Sequence, residues 1–290
     1  MNRMFLLAAL LVAAVSCNRT PAIDVQAHRG GAGLMPENTI PAMKHAIDLG
    51  VNTVEFDLQV TSDGKVIVNH DPYFHPRYAT RPDGTLIQPE DPKEYIYTMP
   101  YDSVLKYDVG LRENDRWPTQ EHFAVQRPLA SDLIDFVEQY GRKKLNYNIE
   151  IKSWPDSLEG IAWPEYHEFV DACVPVLLEK KLGKRLVVQS FDTRALEYMH
   201  EKYPKLTLSY LTEGESTDVE QWMSKLSFKP VWWSPESIEV TPENVAWCHK
   251  NGIKVVPWTV DDPEEMQRMV DCGVEAIISN YPDILISVVR

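Results

Sequence analysis

The chain is poor in cysteine and in positive charge, and it has no apolar run of membrane-spanning length. Four cysteines in 290 residues exclude a disulfide-dense scaffold, and no C-x-x-C or other metal-like spacing occurs. Lysine and arginine number 29 against 43 aspartates and glutamates, a net charge of −14. That balance argues against general nucleic-acid binding and against attachment through anionic lipid headgroups. No G-x-G-x-x-G follows the first predicted strand, which weakens any dinucleotide-binding reading, and no internal repeat is found. What is present is ordinary for a soluble globular protein: 44% hydrophobic and 25% charged residues, enough chain for a sizeable core without staples. The length suits one α/β barrel of about 250 residues.

The first 16 residues read as a secretory signal, outside the fold. Arg3 supplies the positive start, and Met4–Val15 is an apolar run of 12 residues, too short to span a bilayer. It closes on Ala14-Val15-Ser16-Cys17, which looks like a bacterial lipoprotein signal with Cys17 as the lipidated residue. The same run also fits an ordinary cleaved signal. In the lipoprotein reading, residues 17–24 are a tether, the barrel runs over 25–290, and the chain is exported and lipid-anchored on the periplasmic or cell-surface side. Three cysteines remain. Cys173, Cys248 and Cys272 sit in apolar helical patterns, as buried structural thiols do, and a Cys248–Cys272 disulfide is the one pairing considered.

From residue 23 onward, short β-rich runs alternate with helical patterns. The runs are 23–28, 53–58, 65–70, 145–151, 185–190, 206–211, 231–233, 253–258 and 274–279. Most are apolar almost throughout, as strands covered on both faces should be. Helices are expected over 39–49, 129–140, 163–182, 193–203, 242–250 and 263–271. Thr241-Pro242 and Asp262-Pro263 place a capping side chain before Pro at the first helical position. This rhythm predicts a (β/α)₈ barrel. Two features interrupt it. A turn with Asp63-Gly64 joins the second and third runs without a helix, as in a hairpin. Residues 73–128, rich in Pro, Tyr, Asp and Arg, read as an inserted subdomain over one barrel face.

Acids and histidines gather at strand ends, the active-site face of such a barrel. His28-Arg29 ends the first strand, Glu55 and Asp57 lie on the second, His70-Asp71 ends the third, and Glu150 and Lys152 end the fourth. Strand alternation puts Glu55 and Asp57 on one face, and Glu150 and Lys152 likewise. With Asp63-Gly64 as a two-residue loop, His70 stands opposite Asp57. Three converging carboxylates need a cation, and oxygen ligands suit Mg²⁺ or Ca²⁺. Two flanking histidines suit acid and base work. Arg29 and Lys152 supply charge for a phosphate. Phe191 and Trp258 follow strands and are candidates for the wall around an apolar substrate portion, with core packing the alternative. Trp154 is a candidate for the mouth, and Trp232-Trp233 reads equally as pocket wall or core. Glu37 and Asn38 read as loop and N-cap framework.

On these residues the chain resembles the glycerophosphodiester phosphodiesterase family. The resemblance lies in Ala27-His28-Arg29-Gly30, Pro36-Glu37-Asn38-Thr39, Glu55-Phe56-Asp57, Ser62-Asp63-Gly64, His70-Asp71-Pro72 and Glu150-Ile151-Lys152. It implies a TIM barrel with a small insertion after the His-Asp pair. It implies His28 and His70 as the acid–base pair, Glu55, Asp57 and Glu150 as ligands of one divalent cation, and Arg29 and Lys152 as phosphate contacts. The substrate implied is a small glycerophosphodiester, with no nucleic acid and with the membrane reached only through the N-terminal lipid. A phospholipase C- or D-like activity on the same barrel and a non-catalytic phospho-polyol-binding lipoprotein are the rival readings. One departure is Ser279-Asn280-Tyr281-Pro282, where family members often have an Asp before the proline region; the position reads as peripheral to the chemistry.

Overall fold

The computed structural model describes residues 22–214 and 218–290. The signal, Cys17 and most of the expected tether therefore lie outside the described residues. Among the described residues, nine strands form one sheet: β1 (Asp24–Ala27), β2 (Thr53–Val60), β3 (Val66–Val68), β4 (Asn146–Ile151), β5 (Leu186–Ser190), β6 (Thr207–Thr212), β7 (Trp232–Pro235), β8 (Lys254–Val255) and β9 (Ala276–Ser279). Eight run parallel in the order β8-β7-β6-β5-β4-β2-β1-β9, and β3 hangs antiparallel on β2. Backbone bonds from Glu275 to Val255 and from Ile278 to Pro257 bring β9 against β8 and close the cylinder. The result is the expected (β/α)₈ barrel, closed by strands that all lie within residues 22–290.

The helices α1 (Ile40–Leu49), α2 (Tyr101–Val104), α3 (Ala130–Tyr140), α4 (Tyr166–Glu179), α5 (Thr193–Lys202), α6 (Val219–Met223), α7 (Pro242–Lys250), α8 (Pro263–Cys272) and α9 (Pro282–Val289) follow their strands around the outside, except that α2 belongs to the segment after β3. Local chemistry sets their ends. Thr39 accepts from the Ala42 amide, Thr241 from Asn244, and Asp262 from Glu264 and Glu265, each supplying an acceptor for otherwise orphaned first-turn donors. Gly50 and Gly273 close α1 and α8 in the left-handed region.

Strand parity separates two layers. Val54, Phe56 and Leu58 of β2, with Tyr147, Ile149 and Ile151 of β4, pack outward against the helices in the main apolar core. Their alternate neighbours Glu55 and Asn148, with Gln189 of β5, point inward and bond across the lumen: Asn148 donates to Gln26 at 2.9 Å and Gln189 to Glu55 at 3.1 Å. Val256, Ala276 and Ile278 fill the other half of the lumen beside Trp232 and Trp258. The tryptophan pair is thus divided: Trp233 is fully buried in the outer core, and Trp232 is in the inner one. Cys173, Cys248 and Cys272 are all free thiols, so the Cys248–Cys272 disulfide is not formed.

Residues 69–128 contribute no barrel strand. Phe74, Tyr78, Ile87, Ile96, Val104 and Val109 form a separate apolar cluster under Ile67 of β3. Thr119 and Gln120 bond the carbonyls of Gly33, Ala32 and Met35, which holds this segment over the loop after β1.

The hairpin register differs from the expected one by a single residue. The pairs are Leu58↔Val68, Gln59↔Ile67 and Val60↔Val66, so the loop has three residues, Ser62-Asp63-Gly64, closed by Gly64 at φ +73°. Asp63 does not form the first half of a tight two-residue turn because its Oδ1 accepts from Thr61 and from the Tyr101 amide. Asn69, and not His70, therefore stands opposite Asp57, its amide bonded to the Asp57 carbonyl at 3.0 Å.

Candidate active site

The site is built at the C-terminal ends of β1, β2 and β4, with the residues just after β3. Asp57 pairs with Glu150 in the β2–β4 register, and neighbouring residues in register on parallel strands share a face. Oxygens of Glu55, Asp57 and Glu150 consequently lie within 4.8 Å of one another, all three side chains buried. Burial pushes the Glu150 carboxyl up to about 7, and it pushes Glu55 well above its usual range with Asp57 adding like charge. Burial acts the same way on Asp57, but His70, Arg29 and Lys152 outweigh it and hold that group far below the usual range. Asp57 Oδ1 is buried without a hydrogen-bond partner; the nearest ammonium, Lys152 Nζ, is 3.9 Å away. A dense all-oxygen set with an unpartnered carboxylate oxygen fits a hard divalent cation.

Cations are held among these carboxylates by an unusual turn. Arg29 lies in the left-handed region at φ 53°, followed by Gly30 at φ 83° and Gly31 at φ 94°. That conformation costs about 1 kcal/mol at a residue with a side chain. A Cβ on Gly30 would come within 2.8 Å of the Ala42 Cβ, so the tight approach to α1 requires glycine there. The turn aims the Arg29 amide at Glu55 Oε2 (2.8 Å) and its guanidinium at Glu37 (3.0 Å) and Asp57 (3.5 Å). Lys152 Nζ reaches Glu150 at 2.9 Å and His70 Nε2 at 3.0 Å.

His70 joins the site by a route the hairpin argument did not supply. β3 ends at Val68, and residues 70–72 bend out of the ladder. Gln59 donates to the His70 carbonyl at 3.0 Å and pins that bend. An ammonium only donates, so His70 Nε2 accepts from Lys152 while Nδ1 faces Asp71 at 3.3 Å. Burial, with Arg29 and Lys152 nearby, lowers the His70 pKa; burial and Arg29 lower that of His28 well below the usual value.

Asn280 is not peripheral. Its Oδ1 lies 2.6 Å from His28 Nδ1. Its Nδ2 donates to Asp261 Oδ2 at 2.7 Å and its amide to Asp261 Oδ1 at 2.8 Å. Because Asp261 accepts from Nδ2, the amide oxygen is the atom turned to His28, and Nδ1 carries the shared proton. The His28 Nε2 lone pair is left for other work. Glu37 and Asn38 also exceed their expected framework role. Thr39 is the cap, and Asn38, at φ 59°, exchanges two bonds with Asp57, at 2.8 and 3.3 Å. Such links join residues far apart in sequence, and no local pattern announces them.

The open cleft above these groups has a volume of about 330 Å³. Phe191 and Trp258 do line it, edge to face at 5.4 Å, and Trp154 packs on Phe191 at 5.6 Å. Arg116, from the segment after β3, also lines the cleft and was not singled out from sequence, because it lies in a loop without periodicity.

A sequence profile described as the glycerophosphoryl diester phosphodiesterase family matches residues 28–284. The chain belongs to that family. A glycerophosphodiester phosphodiesterase of Caldanaerobacter subterraneus is 31% identical over 92% of this chain and 97% of its own length. A human lysophospholipase D, GDPD1, is 25% identical over 88% of this chain and 82% of its own. Among solved structures, a Silicibacter pomeroyi protein described as a glycerophosphoryl diester phosphodiesterase superposes with a TM-score of 0.84 at 27% identity, covering 93% of both chains. An Oleispira antarctica phosphodiesterase, solved with the product sn-glycerol-3-phosphate, shares the fold with a TM-score of 0.72 at 23% identity, covering 92% of this chain and 96% of its own.

Proposed function

We propose that the protein hydrolyses small glycerophosphodiesters to glycerol 3-phosphate and an alcohol, with Glu55, Asp57 and Glu150 holding one divalent cation and His28 and His70 moving the protons. The observation that carries this reading is the buried carboxylate triad, its oxygens within 4.8 Å, flanked by two histidines and two cations. The bound ion, Mg²⁺ or Ca²⁺, would supply positive charge that draws in the phosphodiester and stabilises charge on its oxygens. Arg29 and Lys152 face the same cleft and neutralise phosphate charge. His28 offers a lone pair at Nε2 because Asn280 engages Nδ1. His70, backed by Asp71, is the second proton carrier. Phe191, Trp258 and Trp154 wall the outer cleft, where the alcohol portion would rest.

The test is a panel of glycerophosphodiesters assayed with Mg²⁺, Ca²⁺ and chelator. Chelation should abolish turnover, and either ion should restore it. His28→Ala and His70→Ala should each lower kcat by roughly 10²–10⁴-fold; wild-type turnover in both would overturn the mechanism. The lysophospholipase D relatives favour a second reading, tested in the same panel: faster cleavage of lysophospholipid than of glycerophosphocholine would support it. Binding without turnover under every condition would leave a non-catalytic phospho-polyol-binding protein. We further propose that Cys17 carries the lipid that anchors an exported protein, which mass spectrometry of the mature chain would establish.

A further inference from the structure

We propose that the barrel face opposite the active site is a docking surface for an anionic phospholipid bilayer, oriented so that the catalytic mouth points away from it. The eight barrel strands other than β3 are parallel, so every segment that enters one of them from the preceding helix lies on one face. The segments entering β4 to β8 are residues 141–144, 179–185, 201–206, 224–230 and 249–254. They hold thirteen of the chain's 29 lysines and arginines but only two of its 43 acids. The acidic average of the molecule therefore conceals a strongly basic pole.

Part of this charge is free to meet a partner. Lys180, Arg185 and Lys202 are spent on ion pairs with Asp135, Glu138 and Asp171. Arg142, Lys143, Lys144, Lys181, Lys184 and Lys205 are exposed, and among the described residues none has an ion pair. Three of them, Lys181, Lys184 and Lys205, rim a groove of about 700 Å³ beside the end of α4. Leu178, Leu182 and Leu206 line its floor, and Leu178 is 46% exposed. Ammonium groups around an apolar floor match a headgroup layer, with phosphates outside and acyl chains beneath.

The path of the chain selects a bilayer as the occupant. β1 begins at Asp24, paired with Ala276 at the start of β9, so residue 22 emerges on this same face. Where Cys17 is the lipid-bearing residue, five peptide links join it to Ala22, a reach of roughly 18 Å at full extension. That keeps residue 22, on the same face as the basic pole, within about two Debye lengths of the headgroups. This argument from the tether rests on the anchoring proposed above; the charge and the groove do not.

The test uses residues 22–290, which close the barrel with no strand from outside, so binding is read without any lipid on Cys17. This chain should sediment with vesicles of equimolar phosphatidylglycerol and phosphatidylcholine at least about tenfold more than with phosphatidylcholine alone, and added salt should release it. The triple variant Lys181→Glu, Lys184→Glu, Lys205→Glu should lose that difference while cleaving soluble glycerophosphocholine as before. Equal partition into both vesicles, or into neither, would overturn the proposal, as would retained binding by the triple variant. Loss of turnover in the parent chain would count instead against the proposed activity, and an unmodified Cys17 against the anchor alone.

Discussion

The two ends of this barrel are built from the same repeating unit and carry opposite chemistry. At the floor of the catalytic cleft, the three carboxylates of the triad are buried and face Arg29, Lys152 and the proposed cation. At the opposite end, bases are exposed, numerous and mostly unmatched. Helix polarity contributes to the contrast, since the loops of the basic pole follow helix C-termini, where lysine and arginine are favoured. Burial makes the larger difference. A carboxylate cluster sealed in the lumen must be neutralised locally, whereas solvent screens the lysines until a charged surface approaches. Net charge is an average over both ends and describes neither.

Three changes would break or sharpen this contrast. The largest effect is expected from Asp57→Asn, which removes the one carboxylate of the triad that its surroundings hold firmly ionised. Turnover should fall roughly 10³-fold or more, while vesicle binding stays unchanged. A joint loss of both would show that the two ends are not independent. Next is Asn280→Ala, which frees His28 Nδ1. We expect kcat to fall about 10–100-fold with KM little altered, and imidazole ¹⁵N spectra to show the Nε2–H form of His28 becoming populated. An unchanged tautomer with unchanged kcat would return Asn280 to the periphery.

The smallest effect concerns Glu239, buried beside Thr212 at the end of the barrel that bears the active site, whose carboxyl burial pushes up to about 7 from 4.5. The folded state therefore holds a proton that the unfolded state releases between these values. Its contribution to stability is lost as pH rises from about 4.5 toward 7. Glu239→Gln should raise stability at pH 8 by about 1 kcal/mol once solvent screening is allowed, and change little at pH 4.5. Thermal melts at the two pH values would check this. Equal shifts at both would remove the carboxyl's ionisation as the cause.

Much of the architecture was legible because a barrel strand is covered on both faces and so becomes a short apolar run. Every one of the nine runs overlaps an observed strand, down to the two-residue β8. Helices with strong caps, such as α7 and α8, were legible to within a residue. α9 was not, because its eight residues are mostly apolar and show no polar face to reveal a period. α6 has only five residues, too short for a period to register.

By itself, the sequence determined the chemistry available: which carboxylates, histidines and cations stand at strand ends, and that a barrel brings strand ends together. It did so because alternation and capping are local rules. Only the tertiary structure decided which of these groups touch. One residue of hairpin slip displaced His70 from its expected partner, and a bend returned it to the cleft. Asn280 met His28 across 252 positions of chain. The basic pole arose from five separate segments that share a face only once the strands lie parallel. Contacts of this kind depend on closure of the whole sheet, and no window of sequence contains them.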